Sequence, residues 1–189
     1  MEYNTKIWDE YTDENTEAIQ ENLSKFVFNS ILTLGGKRVL EAGCNIGNNL
    51  SEIPEDFEVY GLDMNEKALN VCRKKYKSFQ FKKGSILEIP FPDSYFDVVF
   101  TRGVLIHISP NDIEKAITEL FRVSKKWIFN LEYYGEDNKM IKWKRGDDLL
   151  WYRNMKERWK TFKVEIITDI EIPEKIDVGK TRFTLVRKL

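Results

Sequence analysis

Apolar residues recur at helical spacing from about Thr16 to Leu34, at Ala18, Ile19, Leu23, Phe26, Val27 and Ile31. This predicts a helix that Gly35-Gly36 stops. A different rhythm follows. Short apolar runs at 37–42, 57–63, 79–82, 96–101 and 127–132 each break at glycine, proline or charged residues, as buried strands do. Helical stretches alternate with them. One covers 48–53 and ends before Pro54; one covers 66–76 behind the polar cap Asn65; one runs from Pro110-Asn111-Asp112 to about Val123. After the fifth run come a loop over 133–146, a predicted helix over 147–159, and two β-branched strands at 162–170 and 182–187. The alternation predicts an α/β fold, a Rossmann-like doubly wound sheet of about seven mostly parallel strands with helices on both faces. With no repeat or linker, the 189 residues are expected to form one domain.

Composition narrows the function classes. The apolar fraction of 42% marks a globular chain, and a net charge of −1 gives no global field toward nucleic acid or anionic membrane. No apolar run is long enough to span a bilayer, and the acidic N-terminus is unlike a signal peptide. Cys44 and Cys72 lack metal-ligand spacing and are expected to be reduced thiols of a cytoplasmic protein. With His107 the only histidine, no metal site is expected.

The first strand feeds Glu41-Ala42-Gly43-Cys44-Asn45-Ile46-Gly47-Asn48-Asn49. A strand, a glycine turn and a helix start form the cofactor device of doubly wound folds. Gly43 and Gly47 permit a tight turn and close backbone approach. Glu41, two residues before the first glycine, suits a cofactor that carries a cation and ill suits a pyrophosphate. Asp63 ends the second strand twenty residues after Gly43, where a ribose-binding carboxylate belongs, with Met64 beside it. Together these residues resemble the class I methyltransferases dependent on S-adenosylmethionine (SAM), which release S-adenosylhomocysteine (SAH).

Two further blocks extend the resemblance. Ser85 and Ile86 end strand three, where such enzymes often carry Gly-Asp facing adenine; Ser85 can accept a hydrogen bond there or be no more than a turn residue. Phe96–Ile108 resembles the fourth strand and its loop, which places Arg102 beside the methionine end of the cofactor. His107 reads either as a general base or as a packed histidine that fixes the helix start. Glu132, at the end of strand five, reads as a base, a holder of an acceptor hydroxyl or amine, or a solvated loop acid. Tyr133 and Tyr134 suit a pocket wall. Residues 139–163 hold nine Lys/Arg against three acids, interleaved with tryptophans. They read as a nucleic-acid face or as one helix with aromatics inward, and in that setting Arg145 and Arg153 are candidates to hold an anionic substrate.

A narrower resemblance runs through Glu41–Asn49, Arg102–Ile108, Glu132–Tyr134 and Arg145–Trp151, which are similar to the methylases associated with pseudaminic acid biosynthesis. The Trp8–Asn15 segment is similar to that group's opening stretch. The resemblance implies methylation of a small polar acceptor, anionic or sugar-derived, in bacterial surface-glycan metabolism. Residues 1–34 would then supply a lid, with Tyr11 over the cofactor, and a helix; residues 133–160 would form the acceptor-binding insertion. The competing expectations are an RNA or protein methyltransferase using the basic 139–163 face, and a SAM-binding module without catalysis.

Overall fold

The computed structural model describes residues 5–15, 20–146, 148–177 and 181–189. Its centre is a seven-stranded sheet. β1 (Arg38–Ala42), β2 (Glu58–Asp63), β3 (Gln80–Lys83), β4 (Phe96–Arg102) and β5 (Ser124–Tyr133) run parallel. β7 (Thr181–Lys188) pairs antiparallel with β5, and β6 (Val164–Glu171) pairs antiparallel with β7 at the edge. The order is β3-β2-β1-β4-β5-β7-β6. It reverses direction between β1 and β4, and a crevice opens there above the carboxyl ends of the strands.

Strand alternation sorts the core into two layers. Val39, Val98 and Phe100 pack on one face with Leu23, Val27 and Ile31 of α2 (Glu21–Leu34). Leu40 and Val99 pack on the other with Ile113, Ile117 and Leu120 of α4 (Ile113–Val123). α3 (Glu66–Lys75) starts as its sequence signals: the Asn65 side chain accepts from the Lys67 and Ala68 amides. Gly35 ends α2 in the left-handed conformation, φ 69°. The first turn expected for that helix, residues 16–19, lies outside the described residues. Upstream of it stands a separate helix, α1 (Thr5–Asn15).

Two expected helices are corrected. Residues 48–53 give only a 3₁₀ turn over Asn48–Leu50, because Gly47 enters at φ 73° and Pro54 closes the segment before a full helical turn can propagate. The helix expected over 147–159 is reduced to α5 (Met155–Trp159), and its expected start, Asp147, lies outside the described residues. Backbone groups that a helix would use locally are bound elsewhere. Trp151 N–H donates to Ile106 O at 2.8 Å, Arg153 N–H to Tyr133 O at 2.9 Å, and Tyr152 N–H to Lys139 O at 3.0 Å. Asp148, at φ 55°, is incompatible with a helix interior. Helical spacing in this stretch is overridden by pairing with the 137–143 segment and with the loop after β4.

Candidate active site

A cavity of about 390 Å³ sits at the β1/β4 crevice. Its floor is the loop after β1. Gly43, Asn45 and Gly47 alternate through positive φ (81°, 45° and 73°), a path glycine and asparagine tolerate. The Gly43 and Cys44 amides donate to Leu62 O, which ties the loop to β2. Asp63, at the end of β2, accepts from the Asn45 amide with Oδ2 and the Asn65 amide with Oδ1, both at 2.8 Å. Each oxygen keeps a lone pair, and burial pushes the carboxyl above its ordinary range.

Of the residues singled out in the sequence, Tyr11, Gly43, Asn45, Asp63, Met64, Ser85, Ile86, Arg102 and His107 line this one cavity. Glu41 does not. It is fully buried one layer below, and its Oε1 accepts from Nδ2 of Asn49, which does line the wall. Gly47 also stands behind the wall, where its carbonyl accepts from the Tyr76 hydroxyl at 2.7 Å. Gly47 therefore shapes the loop from behind the wall.

Two buried polar atoms near the β1 and β4 ends have no partner among the described residues: Glu41 Oε2, an acceptor, and Arg102 Nε, a donor. Burial raises the Glu41 carboxyl to about 8, although the Asn49 hydrogen bond and the Arg102 charge pull it down. One unfilled acceptor and one unfilled donor complement the ammonium and carboxylate of an amino-acid head. Asp63 and Asn65 on one side, with Ser85 and Ile86 beyond, complement a nucleoside.

The roof comes from distant parts of the chain. Thr12 of α1 is buried, and its hydroxyl lies 3.1 Å from both Asn45 Oδ1 and Asn65 Nδ2. Trp8 packs edge-on against Tyr11 and against His107 at 5.8 and 5.0 Å, and Trp143 lies 4.9 Å from the His107 ring. His107 Nδ1 is 2.7 Å from Leu149 O. Since a carbonyl only accepts, Nδ1 carries the proton and Nε2 keeps its lone pair. Burial depresses this imidazole to about 4.

Five expected acceptor residues are placed elsewhere. Glu132 is buried and off the cavity wall; it accepts from the Thr101 hydroxyl and from the Val104 and Ile106 amides. Burial raises its carboxyl above the ordinary range despite those donors. Arg153 is buried too and donates to Leu105 O, Ile108 O and Asn138 Oδ1. Arg145 is ion-paired with Glu14 and lies over the rings of Tyr11 and Trp143. Tyr133 is half-buried beside the site, outside the cavity lining. Tyr134 is exposed under the Arg182 guanidinium. For Glu132, Arg153, Arg145 and Tyr134 a tertiary partner takes the charge or ring.

Thr12, Gln20, Asn49, Asn65, Ser109 and Asp112 line the cavity without having been read as site residues. Asn65 and Asp112 carried helix-start signals that masked a second use. Thr12 lies in the Trp8–Asn15 segment but gave no sign of this contact, because its partner Asn45 is 33 residues away.

Comparison with known proteins shows what the chain is similar to. Residues 39–126 match the family model described as a methyltransferase domain. The fatty-acid O-methyltransferase of Mycolicibacterium smegmatis is 39% identical over 93 residues, covering 47% of this chain and 33% of that protein. The chain spans between 33% and 55% of the length of this relative and two others. Among solved structures, magnesium protoporphyrin IX methyltransferase from Synechocystis with bound SAH superposes with a TM-score of 0.73 at 14% identity, covering 98% of this chain and 96% of that one. The cyclase SpnF superposes with a TM-score of 0.69 at 16% identity, covering 88% and 79%. Residues 39–126 are therefore similar to methyltransferase domains, and the chain has the fold of structures solved with SAH or SAM bound. The orphaned donor and acceptor at the methionine end and the carboxylate at the nucleoside end fit SAM. Among the described residues no helix is long and apolar enough to cross a membrane, and no cluster of three metal-binding side chains occurs.

Proposed function

We propose that the protein is a SAM-dependent methyltransferase acting on a small, polar, uncharged acceptor. One observation carries the reading. The cavity joins a floor suited to SAM to an aromatic roof holding a neutral imidazole, with Arg102 as the one Lys or Arg among its described lining residues. Asp63 would hold the ribose, Glu41 and Arg102 the amino-acid head, and Ile86 with Ser85 the adenine. Bound SAM supplies an electrophilic methyl carbon on a sulfonium. The protein's share is alignment of the acceptor, exclusion of water by Trp8, Tyr11 and Trp143, and receipt of a proton.

The domain reading goes with it: one domain over 1–189, with 1–34 as N-terminal lid and helix and 133–160 as the acceptor-binding insertion. The resemblance of four segments to methylases associated with pseudaminic acid biosynthesis supports a sugar-derived acceptor from bacterial surface-glycan metabolism. An anionic acceptor is not carried forward, because Arg145 is paired with Glu14 and Arg153 is spent on carbonyls. The basic-face alternative loses its arginines as well, since Arg158 is bound by Glu114 and Asp137.

Calorimetry with SAH tests the cofactor assignment. Asp63→Ala should weaken binding by about 1–3 kcal/mol, the loss of a charge-assisted hydrogen bond. In Gly43→Val a Cβ would meet Val104 Cγ2 at 2.5 Å at a positive φ, so binding should be lost. Wild-type affinity in both variants would overturn the assignment. Transfer of labelled methyl from SAM into fractionated small metabolites then separates an enzyme from a binding module.

A further inference from the structure

The turn after β4 belongs to no strand, yet it is gripped from both sides by buried ionisable groups. Glu132 accepts from the Val104 and Ile106 amides, each at 3.3 Å. Arg153 donates through Nε to Leu105 O at 2.9 Å and through Nη2 to Ile108 O. Trp151 N–H donates to Ile106 O at 2.8 Å. Four of the five residues 104–108 are thus bound through their backbone, two on the N-terminal side of Ile106–His107 and one beyond it. The same 149–153 strap presents Leu149 O to His107 Nδ1. Two buried ionisable groups off the cavity wall are expensive in a domain of this size. An apolar pair would fill the space without fixing the backbone amides and carbonyls of the turn.

Resting on the SAM-site reading above, we propose that Glu132 and Arg153 are positioning residues. They hold the 104–108 turn so that His107 stays in its Nδ1–H form, with Nε2 presented to the acceptor as the proton-accepting atom. Nε2 has no hydrogen-bond partner among the described residues, and the ring lines the cavity between Trp8 and Trp143. In the reaction an acceptor oxygen or nitrogen forms its bond to the methyl carbon while the carbon–sulfur pair stays on sulfur. The proton it sheds goes to Nε2, giving the imidazolium. An attacking atom becomes strongly acidic as it takes the methyl group, so a weakly basic imidazole suffices. The low basicity of this buried ring is therefore consistent with the role. The charged group acting on the ring is Arg153 in the strap, and Leu149 O binds its Nδ1. This assigns Glu132 and Arg153 to support of the base and His107 to contact with the acceptor.

Because the chain has one histidine, its imidazole ¹⁵N signals need no assignment. In the full-length protein with SAH added, long-range ¹H–¹⁵N spectra should show a protonated Nδ1, a bare Nε2 and no titration between pH 5.5 and 8, bounds set roughly around the ordinary histidine value. A protonated Nε2, or titration near the ordinary value, overturns the proposal. Glu132→Gln leaves one acceptor for two amides, and Arg153→Lys can reach one carbonyl where the fork reached two. Both should bind SAH within about threefold of wild type, as a positioning role away from the cofactor requires, while mixing the tautomers and restoring titration. Unchanged imidazole signals in folded variants overturn the clamp. The wild type provides a second test should neither variant fold. The Val104 and Ile106 amides should exchange with deuterium as slowly as core strands, and free-loop exchange rates overturn the proposal. Failure of the wild type to bind SAH would remove the cofactor reading and leave the tautomer result standing by itself.

Discussion

β1 and β5 each end in a buried glutamate, and the two ends do opposite things. Glu41, at the end of β1, has one oxygen on Asn49 and the other unpartnered among the described residues. Glu132, at the end of β5, has both oxygens occupied by donors from β4 and its loop. Residue type and position on the sheet are the same. What separates an acid with an open oxygen from a scaffold acid is the supply of donors around it. A buried acceptor left open invites a ligand, and a filled one fixes the structure.

The largest test of that contrast removes each acid in turn. Glu132→Ala should destabilise the fold by about 3 kcal/mol or more, because a hydroxyl and two amides lose their acceptor and Arg153 loses a nearby opposite charge. Glu41→Gln should leave stability near wild type and weaken SAM. Urea unfolding with SAH titration checks both, and equal stability losses would erase the distinction.

The β4–β5 side should also carry an acid sensitivity that the β1 side lacks. The folded imidazole of His107 sits at about 4, below the ordinary 6.5 of an unfolded chain. The unfolded state therefore binds the extra proton first as pH falls. Stability is fully present above about 6.5 and should fall by about 3 kcal/mol as pH drops to 4, then level off. Unfolding of His107→Gln across that window isolates the term. Parallel pH profiles for variant and wild type would refute it.

At the β1 end the sign is reversed. Burial raises Glu41 to about 8, so it is protonated at neutral pH. Arrival of an ammonium favours the carboxylate, and SAM binding should release a proton between about pH 4.5 and 8. Affinity should then tighten by up to about tenfold per pH unit. Calorimetry in buffers of different ionisation enthalpy measures that proton, and Glu41→Gln should abolish it.

The smallest effect belongs to the roof. Glu14 joins α1 to the 140s loop through Lys144 and Arg145, and those cations hold its carboxyl below the usual range. The pair is solvent-facing on the Glu14 side. Glu14→Gln should change SAH affinity by less than about threefold, and added salt should mimic it. A much larger loss would mean that the latch is integral to the cofactor floor.

The sequence by itself determined what depends on neighbours in the chain. Strand alternation, the Gly35 stop, the Asn65 cap, the positive-φ glycine turn and Asp63 at the end of β2 are all local, and the β-α alternation then dictates which strand ends meet. Tertiary structure decided the rest. Trp151, Glu132 and Arg153 have ordinary helix, loop-acid and anion-site signatures until the β4 turn is placed beside them. The Thr12–Asn45 contact and the Arg145–Glu14 pair likewise join residues remote in sequence. A charge or an amide does not encode its partner. Burial makes pairing obligatory, and only the assembled fold decides which of the available groups comes within hydrogen-bond reach.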